Sequence, residues 1–481
     1  MAKILFINPV IRQEDVPRHI PYGVAQILSI LKKNYKHKIQ VLDANAWRPS
    51  DAQLLKVLRL DDWDIIAIGG LITSYGYIKK CVEYSRKICP KSLIVAGGGF
   101  ISPIPFEVMG FLRQIDIGVI GEGVVTFPEL AESYTRGEKD FSGVKGIIWR
   151  DKGRLVLNAQ RPLLEDVDSL PFPAYEMFPM DIYFRNSSVL LSEEAMKAKR
   201  RISVLASYGC PFKCKYCFHL GLGGELRVVN ETLEVDYKEP RIIRAHSPEY
   251  VTDLVSVCYK KYRIDFVSFN DENLVFMDRK TKGEWTSNFF GLWKKKGLSK
   301  IHWGTTAHPA LVTPKLLIAM RKSGCTYLDY GFESFDDGIL RSIGKGSTSV
   351  MNERALRWTM AAGIRPIPNQ IIGFPDETFG SLKVTLKAWK RLGIRSNPFF
   401  ATPYPGSEWY FQFKERILSQ YGGDLESFLL DLGDATKITA VISKNFTAVE
   451  LLGIRDLMVN MDLKRIMDYE KVYNSRTRDM A

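Results

Sequence analysis

Three closely spaced cysteines are the feature of this sequence with the clearest chemical meaning. Cys210, Cys214 and Cys217 have the spacing C-x3-C-x2-C and directly follow an apolar run at 204–206. Three thiolates on one loop can bind three irons of a [4Fe–4S] cluster, because such clusters are normally held by cysteine. The fourth iron would stay open, and a metal site with an open position is built to bind a substrate.

Zinc is the main alternative occupant of this loop. It would need a fourth ligand, for which His219 is near enough in sequence, but structural zinc loops usually have paired Cys/His units at a greater separation. The pattern therefore favours the iron–sulfur cluster. The remaining cysteines stand alone in apolar or helical contexts that are typical of buried, inert thiols: Cys81, Cys89, Cys258 and Cys325.

The first 140 residues alternate short apolar runs with amphipathic stretches, which predicts a doubly wound, parallel α/β sheet covered by helices on both faces. The predicted strands are 3–7, 39–43, 65–69, 92–96 and 117–120. Ligands of such sheets bind beyond the carboxyl ends of the strands. Glycine-bearing turns follow three of these strands and predict a flat or bulky ligand there: 69–70, 97–99 and 121–123. No G-x-G-x-x-G follows the first strand, which argues against a dinucleotide.

A second strand–helix series begins near residue 202, with predicted strands at 202–206, 264–269, 301–305, 326–331, 365–372 and 398–402. Six such units predict a partial β/α barrel with its active site at the carboxyl ends of the strands. A proline-punctuated connector, containing a hairpin at 144–157, precedes the barrel. We therefore expect a ligand-binding domain at 1–140, a connector at 141–195, a barrel at 196–410 and a mostly helical region at 411–481.

The composition is that of an ordinary globular protein, with 46% hydrophobic and 25% charged residues. No apolar run approaches the roughly 20 residues that span a bilayer, and the first residues do not resemble a secretory leader. We therefore expect a cytoplasmic protein. Lys and Arg number 67 against 54 Asp and Glu, and the resulting charge of +13 favours an acidic partner. The basic clusters lack interleaved aromatic residues, so no nucleic-acid partner is expected.

The cysteine loop and the later strand ends resemble the radical S-adenosylmethionine (SAM) superfamily. Tyr216 supplies the aromatic residue just before the third cysteine, and segments similar to the family's strand-end motifs follow in order: 269–273, 330–334 with 345–346, 363–378 and 402–407. The resemblance implies that the open iron binds SAM. It also implies that an electron from the reduced cluster cleaves SAM to methionine and a 5′-deoxyadenosyl radical.

The same resemblance implies roles for individual residues. Tyr216 should pack on the adenine of SAM, and Gly373 belongs to the motif near the adenine. Glu333 and Ser334 should contact the ribose or the methionyl group, although a simple strand-end turn is the alternative. Asp271 would either bind SAM or cap the next helix.

Two positions near the barrel mouth are candidates for the substrate pocket. Asn369 and Asp376 each stand where the family usually has glycine. These two differences make adenine contacts at the 363–378 motif less certain. Tyr404 lies in the final-strand motif. Together with other aromatic residues nearby it would suit an apolar substrate, although such residues more often form core: Phe399, Phe400 and Trp409.

The N-terminal sequence resembles the cobalamin (B12)-binding domain that precedes many radical SAM barrels. The segments that carry this likeness are 8–9, 21–23, 42–45, 97–99 and 121–130, followed by connector matches at 146–149 and 170–173. The resemblance implies that Thr73, Ser74 and Tyr75 lie beneath the corrin, although Thr73 or Ser74 could instead cap a helix. It implies further cobalamin contacts from the glycine turns: Gly97, Gly98, Gly99, Gly121, Glu122 and Gly123.

The family's D-x-H-x-x-G motif, which supplies a lower histidine ligand to cobalt, is absent. His19 lies in the first loop, but its neighbours do not match that motif. Cobalamin is therefore expected to bind base-off and without a histidine ligand, as in the methyltransferases of this class.

By resemblance, the two halves together are identified as a cobalamin-dependent radical SAM C-methyltransferase. The resemblance implies that the 5′-deoxyadenosyl radical takes hydrogen from an unactivated sp3 carbon, which then takes a methyl group from methylcobalamin. A second SAM and an external one-electron reductant would restore methylcobalamin. The basic charge favours a peptide or protein over a small molecule as substrate, and a glutamine of methyl-coenzyme M reductase is one match by overall likeness.

Other functions remain open. The first is a cobalamin-binding radical SAM enzyme of lipid or tetrapyrrole metabolism that methylates or cyclises an apolar substrate. Methylthiolation of tRNA is disfavoured, because no additional cysteine trio precedes the barrel and 411–481 does not resemble a β-rich RNA-binding domain. A non-catalytic corrinoid or redox sensor would not cleave SAM, and the intact cysteine trio argues against it.

Overall fold

The computed structural model describes residues 1–186, 192–221, 226–229, 232–235 and 242–479 of the 481-residue chain. Side chains are described at 1–186, 192–219 and 242–473. No helix within these ranges is long and apolar enough to cross a membrane.

The N-terminal domain is a seven-stranded sheet in the order β2-β1-β3-β4-β5-β6-β7. The strands are β1 Lys3–Asn8, β2 Lys38–Asp43, β3 Ile65–Gly69, β4 Leu93–Gly97, β5 Ile117–Val119, β6 Ile147–Asp151 and β7 Arg154–Leu157. The helices on its two faces are α1 Tyr22–Asn34, α2 Ala44–Trp47, α3 Asp51–Leu58, α4 Tyr75–Ile88, α5 Pro105–Phe111 and α6 Gly123–Thr135. Strands β1 to β5 are parallel, as predicted, and the strand order reverses between β1 and β3.

The predicted hairpin is not a separate connector, because β6 pairs antiparallel with β5 and adds two strands to the first sheet. Ile147 and Ile148 are fully buried, so the hairpin covers apolar surface at the edge of this sheet. Lys152 and Gly153 both have positive φ. Two such residues form the type of tight turn that suits the right-handed twist of a hairpin. The sheet thus continues past the predicted boundary at residue 140.

The second domain contains six parallel strands in the spatial order β13-β12-β11-β10-β9-β8, which is the chain order reversed. They are β8 Arg201–Val204, β9 Phe266–Phe269, β10 His302–Ala307, β11 Cys325–Glu333, β12 Arg365–Ile372 and β13 Phe399–Phe400. The helices from the linker to the last strand are α7 Met180–Arg185, α8 Glu193–Lys197, α9 Pro248–Tyr262, α10 Phe276–Lys280, α11 Glu284–Lys295, α12 Pro314–Lys322, α13 Asp337–Ser342, α14 Ser349–Ala361 and α15 Phe379–Leu392. The predicted partial barrel is confirmed.

The last part of the chain is helical, as predicted, and contacts both domains. Its helices are α16 Glu408–Gln412, α17 Lys414–Gln420, α18 Leu425–Asp431, α19 Ala448–Val459 and α20 Leu463–Asp479. Lys414 pairs with Glu107 of the N-terminal domain at 2.8 Å. Lys383 of α15 pairs with Glu470 of α20. These helices therefore help to fix the relative position of the two halves.

Alternate residues of the barrel strands have opposite surroundings. On β11, Leu328, Tyr330 and Phe332 are fully buried in the main apolar core. Asp329 and Gly331, which lie between them, remain partly accessible. Since successive side chains of a strand point to opposite faces, these residues face the barrel interior. The described side chains therefore leave a partly open lumen at this point.

Gly304 gives a direct test of the packing at the floor of this lumen. A Cβ atom there would lie 2.2 Å from the ring of Tyr327, which itself stacks on Phe266. We expect Gly304→Ala to lower the free energy of unfolding by about 1–3 kcal/mol, as overpacking does. The measurement is the midpoint of urea-induced unfolding.

Gly291→Ala is the matched control, because nothing lies within 4 Å of a Cβ atom at this position in α11. It should leave the midpoint unchanged or raise it slightly, since alanine favours helix. Equal midpoints for Gly304→Ala and the unmodified protein would contradict the packing described here.

Candidate active site

The cysteine loop begins where β8 ends. A two-residue strand, Ser207–Tyr208, pairs antiparallel with Arg244–Ala245 and leads into the loop. Gly209 has φ +92°, and a Cβ atom there would lie 2.8 Å from the carbonyl oxygen of Ile242. Only glycine fits this turn without strain, and it directs the chain into Cys210.

The three cysteines lie on one loop at the carboxyl end of the barrel. Cys214 is buried, and Cys210 and Cys217 are partly accessible. Burial raises the pKa of the Cys210 and Cys214 thiols, so a bound metal is needed to hold them as thiolates. Among the described residues no three ligands are arranged for a single metal ion. A [4Fe–4S] cluster does not require that arrangement, because each cysteine binds a different iron.

Backbone contacts from later barrel loops hold the cysteine loop in place. The Lys215 N–H donates to the carbonyl of Ile343 at 3.0 Å, and the Lys215 carbonyl accepts from the N–H of Trp409 at 3.1 Å. Phe212 stacks on His308 with ring centres 3.5 Å apart. A Cβ atom at Gly346 would meet the Phe212 ring at 2.8 Å, so this glycine permits the stack.

A buried polar cluster lies directly behind the cysteines. The Tyr216 hydroxyl donates to Glu333 Oε1 at 2.8 Å, and Lys345 Nζ donates to the same oxygen at 2.9 Å. The Glu333 and Lys345 side chains are only 6% and 7% exposed. Although burial alone would lower it, the pKa of Lys345 is raised because Glu333 and Cys214 are close. The cluster therefore places a negative and a positive side chain, Glu333 and Lys345, next to the cysteine loop.

Glu333 also has an uncommon backbone conformation. Its φ is +59°, a left-handed value that non-glycine residues seldom adopt. Such strain is retained where the surroundings fix a side chain for a functional reason. The kink at the end of β11 thus aims the carboxylate at Tyr216 and Lys345, and the contact of Glu333 with SAM stays a prediction.

The other residues predicted to bind SAM have structural partners. The Ser334 hydroxyl lies 3.0 Å from the hydroxyl of Thr385 on α15. Gly373 has φ +85°, and its N–H donates to Glu377. Gly373 thus shapes the turn after β12, while the Ser334 side chain faces α15. Their contacts with SAM stay predictions.

Asp271 anchors the end of β8. Its carboxylate accepts from the Ala206 N–H at 3.1 Å and from both the N–H and the hydroxyl of Ser207. The side chain is 1% exposed, and burial raises its pKa to about 7. Neither sequence expectation, SAM binding or helix capping, included this link between two neighbouring strands.

A cavity of about 530 Å³ lies between the two domains. Its wall contains the carboxyl ends of β1, β3 and β4 and the predicted glycine turns Gly97–Gly99 and Gly121–Gly123. The barrel closes it with Leu205, Tyr208 and Arg244. This position at the reversal of strand order is where doubly wound sheets bind large ligands.

The cavity suits a large, mostly apolar ligand. Its glycines leave room, since the nearest neighbour of a Cβ atom at Gly97 is Val119 at 3.8 Å. Apolar side chains and glycines form most of its wall, and Gln26 is one of its few polar lining residues. The residues present thus fit cobalamin.

The segment predicted to lie beneath the corrin has a different environment. Thr73, Ser74 and Tyr75 do not line the described cavity. The Tyr75 hydroxyl instead donates to Glu426 of α18 at 2.7 Å. Tyr75 therefore connects the N-terminal domain to the C-terminal helices.

A partly buried ion pair connects the domains at the edge of this cavity. Arg244 binds the Glu122 carboxylate with two nitrogens, one at 3.0 Å, and donates to the Leu164 carbonyl at 2.7 Å. Its guanidinium carbon also lies 5.4 Å from the centre of the Tyr208 ring. Glu122, which was predicted to contact cobalamin, thus lies on the cavity wall and binds Arg244 of the barrel domain.

The two predicted substrate-pocket residues lie apart. Asn369 Nδ2 donates to Asp329, and this pair faces the barrel lumen. The Tyr404 hydroxyl donates to the carbonyl of Gly433 at 3.1 Å, and its ring contacts Phe218. Only Asn369 therefore belongs to the lumen of the strands.

Comparison with known proteins agrees with this two-part architecture. Residues 10–131 match the B12 binding domain, and residues 204–389 match the radical SAM superfamily. The chain belongs to the cobalamin-binding radical SAM enzymes. Its cofactors are accordingly a [4Fe–4S] cluster, SAM and cobalamin.

Two curated relatives cover most of this chain. An uncharacterised methyltransferase of Pyrococcus horikoshii is 27% identical over 83% of this chain and 79% of its own. An anaerobic magnesium-protoporphyrin IX monomethyl ester cyclase of Cereibacter sphaeroides is 24% identical over 82% of this chain and 61% of its own.

Two solved structures have the same fold. The radical SAM methyltransferase TsrM of Kitasatospora setae matches with a TM-score of 0.64 at 16% identity, over 87% of this chain and 77% of its own. The cobalamin-dependent enzyme OxsB matches with a TM-score of 0.67 at 18% identity, over 93% of this chain and 59% of its own. Methyl transfer is the activity that these comparisons support.

Sequence reasoning missed several polar residues around the site. Lys345 was noted only as part of a motif, and Asp329, Arg244 and His246 were not singled out. Asp329 could have been found, because it lies four residues before Glu333 and therefore on the same face of one strand. The partners of Arg244 and His246 come from the other domain or the linker, which no local pattern reveals.

Glu377 gives a pH-dependent test of the turn after β12. Its carboxyl is 2% exposed, and burial raises its pKa to about 8. Its protonated form is therefore favoured by folding, and this stability is lost as the pH rises from the unfolded value near 4.5 through about 8. We expect Glu377→Gln to become more stable relative to the unmodified protein as the pH rises from 5 to about 9.

The measurement is the urea midpoint of both proteins across this pH range. Glu353→Gln is the control. Arg391 holds the pKa of Glu353 down at about 2, so Glu353 stays ionised from pH 5 to 9 and the effect of this substitution should not vary with pH. If the urea midpoints of Glu377→Gln and the unmodified protein differed by the same amount at every pH, the raised pKa of Glu377 would be contradicted.

Proposed function

We propose that this enzyme is a C-methyltransferase that takes hydrogen from an unactivated sp3 carbon of its substrate and places a methyl group there. One observation carries the proposal: the cysteine loop and the interdomain cavity share a single stretch of chain. Leu205 and Tyr208 line the cavity, and Cys210 follows Tyr208 by two residues. A substrate at this junction would meet both cofactors.

The cofactors supply the difficult chemistry: the reduced cluster cleaves SAM to a 5′-deoxyadenosyl radical, and cobalamin carries the methyl group. The protein binds, orients and excludes water. Cys210, Cys214 and Cys217 are the cluster ligands in this proposal. Glu333 and Lys345 have charges opposite to the ammonium and carboxylate of SAM, and Tyr216 lies beside them. Their burial strengthens these interactions.

The glycine turns are proposed to accommodate the corrin. Gly97, Gly98 and Gly99 follow β4, and Gly121 and Gly123 flank Glu122 after β5. No histidine is among the residues that line the described cavity. Base-off binding without a histidine ligand therefore stays part of the proposal.

A peptide or protein is the first candidate substrate, as the net charge of +13 favours an acidic macromolecular partner. The glutamine of methyl-coenzyme M reductase remains one specific suggestion, which rests on overall likeness of sequence. The alternative substrate is a tetrapyrrole. Two curated relatives are named a magnesium-protoporphyrin cyclase and a bacteriochlorophyllide methyltransferase, which supports this second candidate.

Removal of the cluster ligands tests the radical chemistry. We expect Cys210→Ala, Cys214→Ala and Cys217→Ala each to abolish formation of 5′-deoxyadenosine from SAM under reducing conditions, because each variant leaves one iron without its thiolate. The measurement is chromatographic quantification of 5′-deoxyadenosine with iron analysis. Cys89→Ala, in the N-terminal domain, is the control and should retain full activity. Undiminished 5′-deoxyadenosine from a loop variant would refute the proposal.

Filling the cavity tests the cobalamin site. Gly97 has an extended backbone that any residue adopts, and a leucine there would project into the cavity. We expect Gly97→Leu to lower bound corrinoid at least about tenfold, as steric exclusion of a bulky ligand costs more than about 1.4 kcal/mol. Absorbance gives the corrinoid content, and iron content should be unchanged.

Gly110→Leu is the matched control, since nothing lies within 4 Å of a Cβ atom there and it does not line the cavity. It should bind corrinoid normally. Normal corrinoid content in Gly97→Leu would show that the cavity is not the cobalamin site.

A further inference from the structure

The barrel lumen contains a carboxylate–amide pair, Asp329 and Asn369, that the cofactor sites do not use. Asn369 Nδ2 donates to Asp329 Oδ1 across β11 and β12. No described residue donates to Asp329 Oδ2 or to Asn369 Oδ1, and both residues are partly accessible from the lumen. Two neighbouring acceptor oxygens thus lack a donor among the described residues.

This carboxyl group also lacks a cationic partner. No Lys, Arg or His of the described chain forms an ion pair with Asp329. Burial and the nearby Glu333 raise its pKa to about 6, which leaves it mainly ionised at neutral pH. A buried carboxylate is costly unless it is paired or hydrogen-bonded. A ligand with N–H donors would supply the missing partners.

The pair lies close to the proposed SAM site. Asp329 precedes Glu333 by four residues on β11, and the charge of Glu333 contributes to the raised pKa of Asp329. Gly331 lies between them, and a Cβ atom there would fall 2.2 Å from Glu333 Oε1 and 2.8 Å from Lys345 Nζ. The absent side chain therefore makes room for the Glu333 carboxylate and the Lys345 ammonium, which lie next to the pair.

An unpaired cation lies near the floor of the same lumen. Arg201 begins β8, and Ser203 and Leu205 share its inward face, whereas Ile202 and Val204 belong to the outer core. The Arg201 guanidinium forms no hydrogen bond or ion pair with any described residue. Tyr327, Arg18 and His19 are the charged or titratable groups of the described chain that act on it. It can therefore donate to an acceptor on a ligand.

We propose that the lumen binds a substrate group with at least two N–H donors, a primary amide or a guanidinium, on Asp329 and Asn369. Arg201 binds an acceptor oxygen of the same substrate. This inference rests on the proposed function and specifies its substrate class. The substrate carbon would then lie between this pair and the Glu333 cluster, near the reacting part of SAM.

Blocked amino acids probe this site without turnover. The probes are N-acetyl-arginine methylamide, N-acetyl-glutamine methylamide and its isostere N-acetyl-glutamate methylamide, which lacks side-chain N–H donors. Dissociation constants are measured by ligand-observed NMR with the unreduced, SAM-bound holoenzyme at pH 8. We expect the arginine and glutamine probes to bind at least about tenfold more tightly than the glutamate probe, as loss of hydrogen bonds to a charged group implies.

Three variants locate the interaction. Asp329→Asn should weaken the arginine probe at least about tenfold, and Arg201→Gln should weaken all three probes, because each has carbonyl acceptors. Asp253→Asn is the control; this exposed carboxylate pairs with Lys296 at 2.7 Å on the outer surface. It should change nothing. Iron and corrinoid contents establish that each variant is folded and loaded.

Equal binding of the glutamate and glutamine probes, an unaffected Asp329→Asn variant, or no binding by any probe would each overturn this inference. An unaffected Arg201→Gln variant would overturn the role of that residue. These failures are distinct from failure of the proposed function, which would appear as absent 5′-deoxyadenosine in the unmodified enzyme.

Discussion

The contact between the Asp271 carboxylate and the end of β8 is the interaction on which the site depends. Asp271 binds Ala206 and Ser207, and the chain continues through Tyr208 on the cavity wall to Cys210. A displacement here would move the cluster loop and the cobalamin cavity together. Several hydrogen bonds to one buried carboxyl group resist such a displacement, because each would have to be broken away from water.

Polar contacts across the domain interface complete this arrangement. Arg244 pairs with Glu122 of the N-terminal domain. His246, which is fully buried, lies 3.3 Å from the Tyr208 hydroxyl and 3.0 Å from Asp168 of the linker. Partly buried polar contacts of this kind are costly to break, so they favour one relative position of the two domains. The proposed reaction between two cofactors would need that fixed geometry.

Patterns within the sequence predicted the elements, whereas contacts between elements required the structure. Strand periodicity predicted both parallel sheets, and cysteine spacing predicted the loop at the end of β8. The role of Asp271 depends on which strand lies next to β8, and the Asp329–Asn369 pair depends on the register of β11 and β12. Tyr75 binds Glu426, a residue far away in the chain. None of these partners follows from local spacing.

The ratio of two SAM-derived products tests the central claim most directly. In the proposed reaction, each C-methylation would consume one SAM as the source of the radical and one as the methyl donor. In reduced, cofactor-loaded enzyme with its substrate, 5′-deoxyadenosine and S-adenosylhomocysteine should therefore form in equal amounts, and a deuterated methyl group of SAM should appear in the product. Formation of S-adenosylhomocysteine and methylated product without 5′-deoxyadenosine would contradict the account.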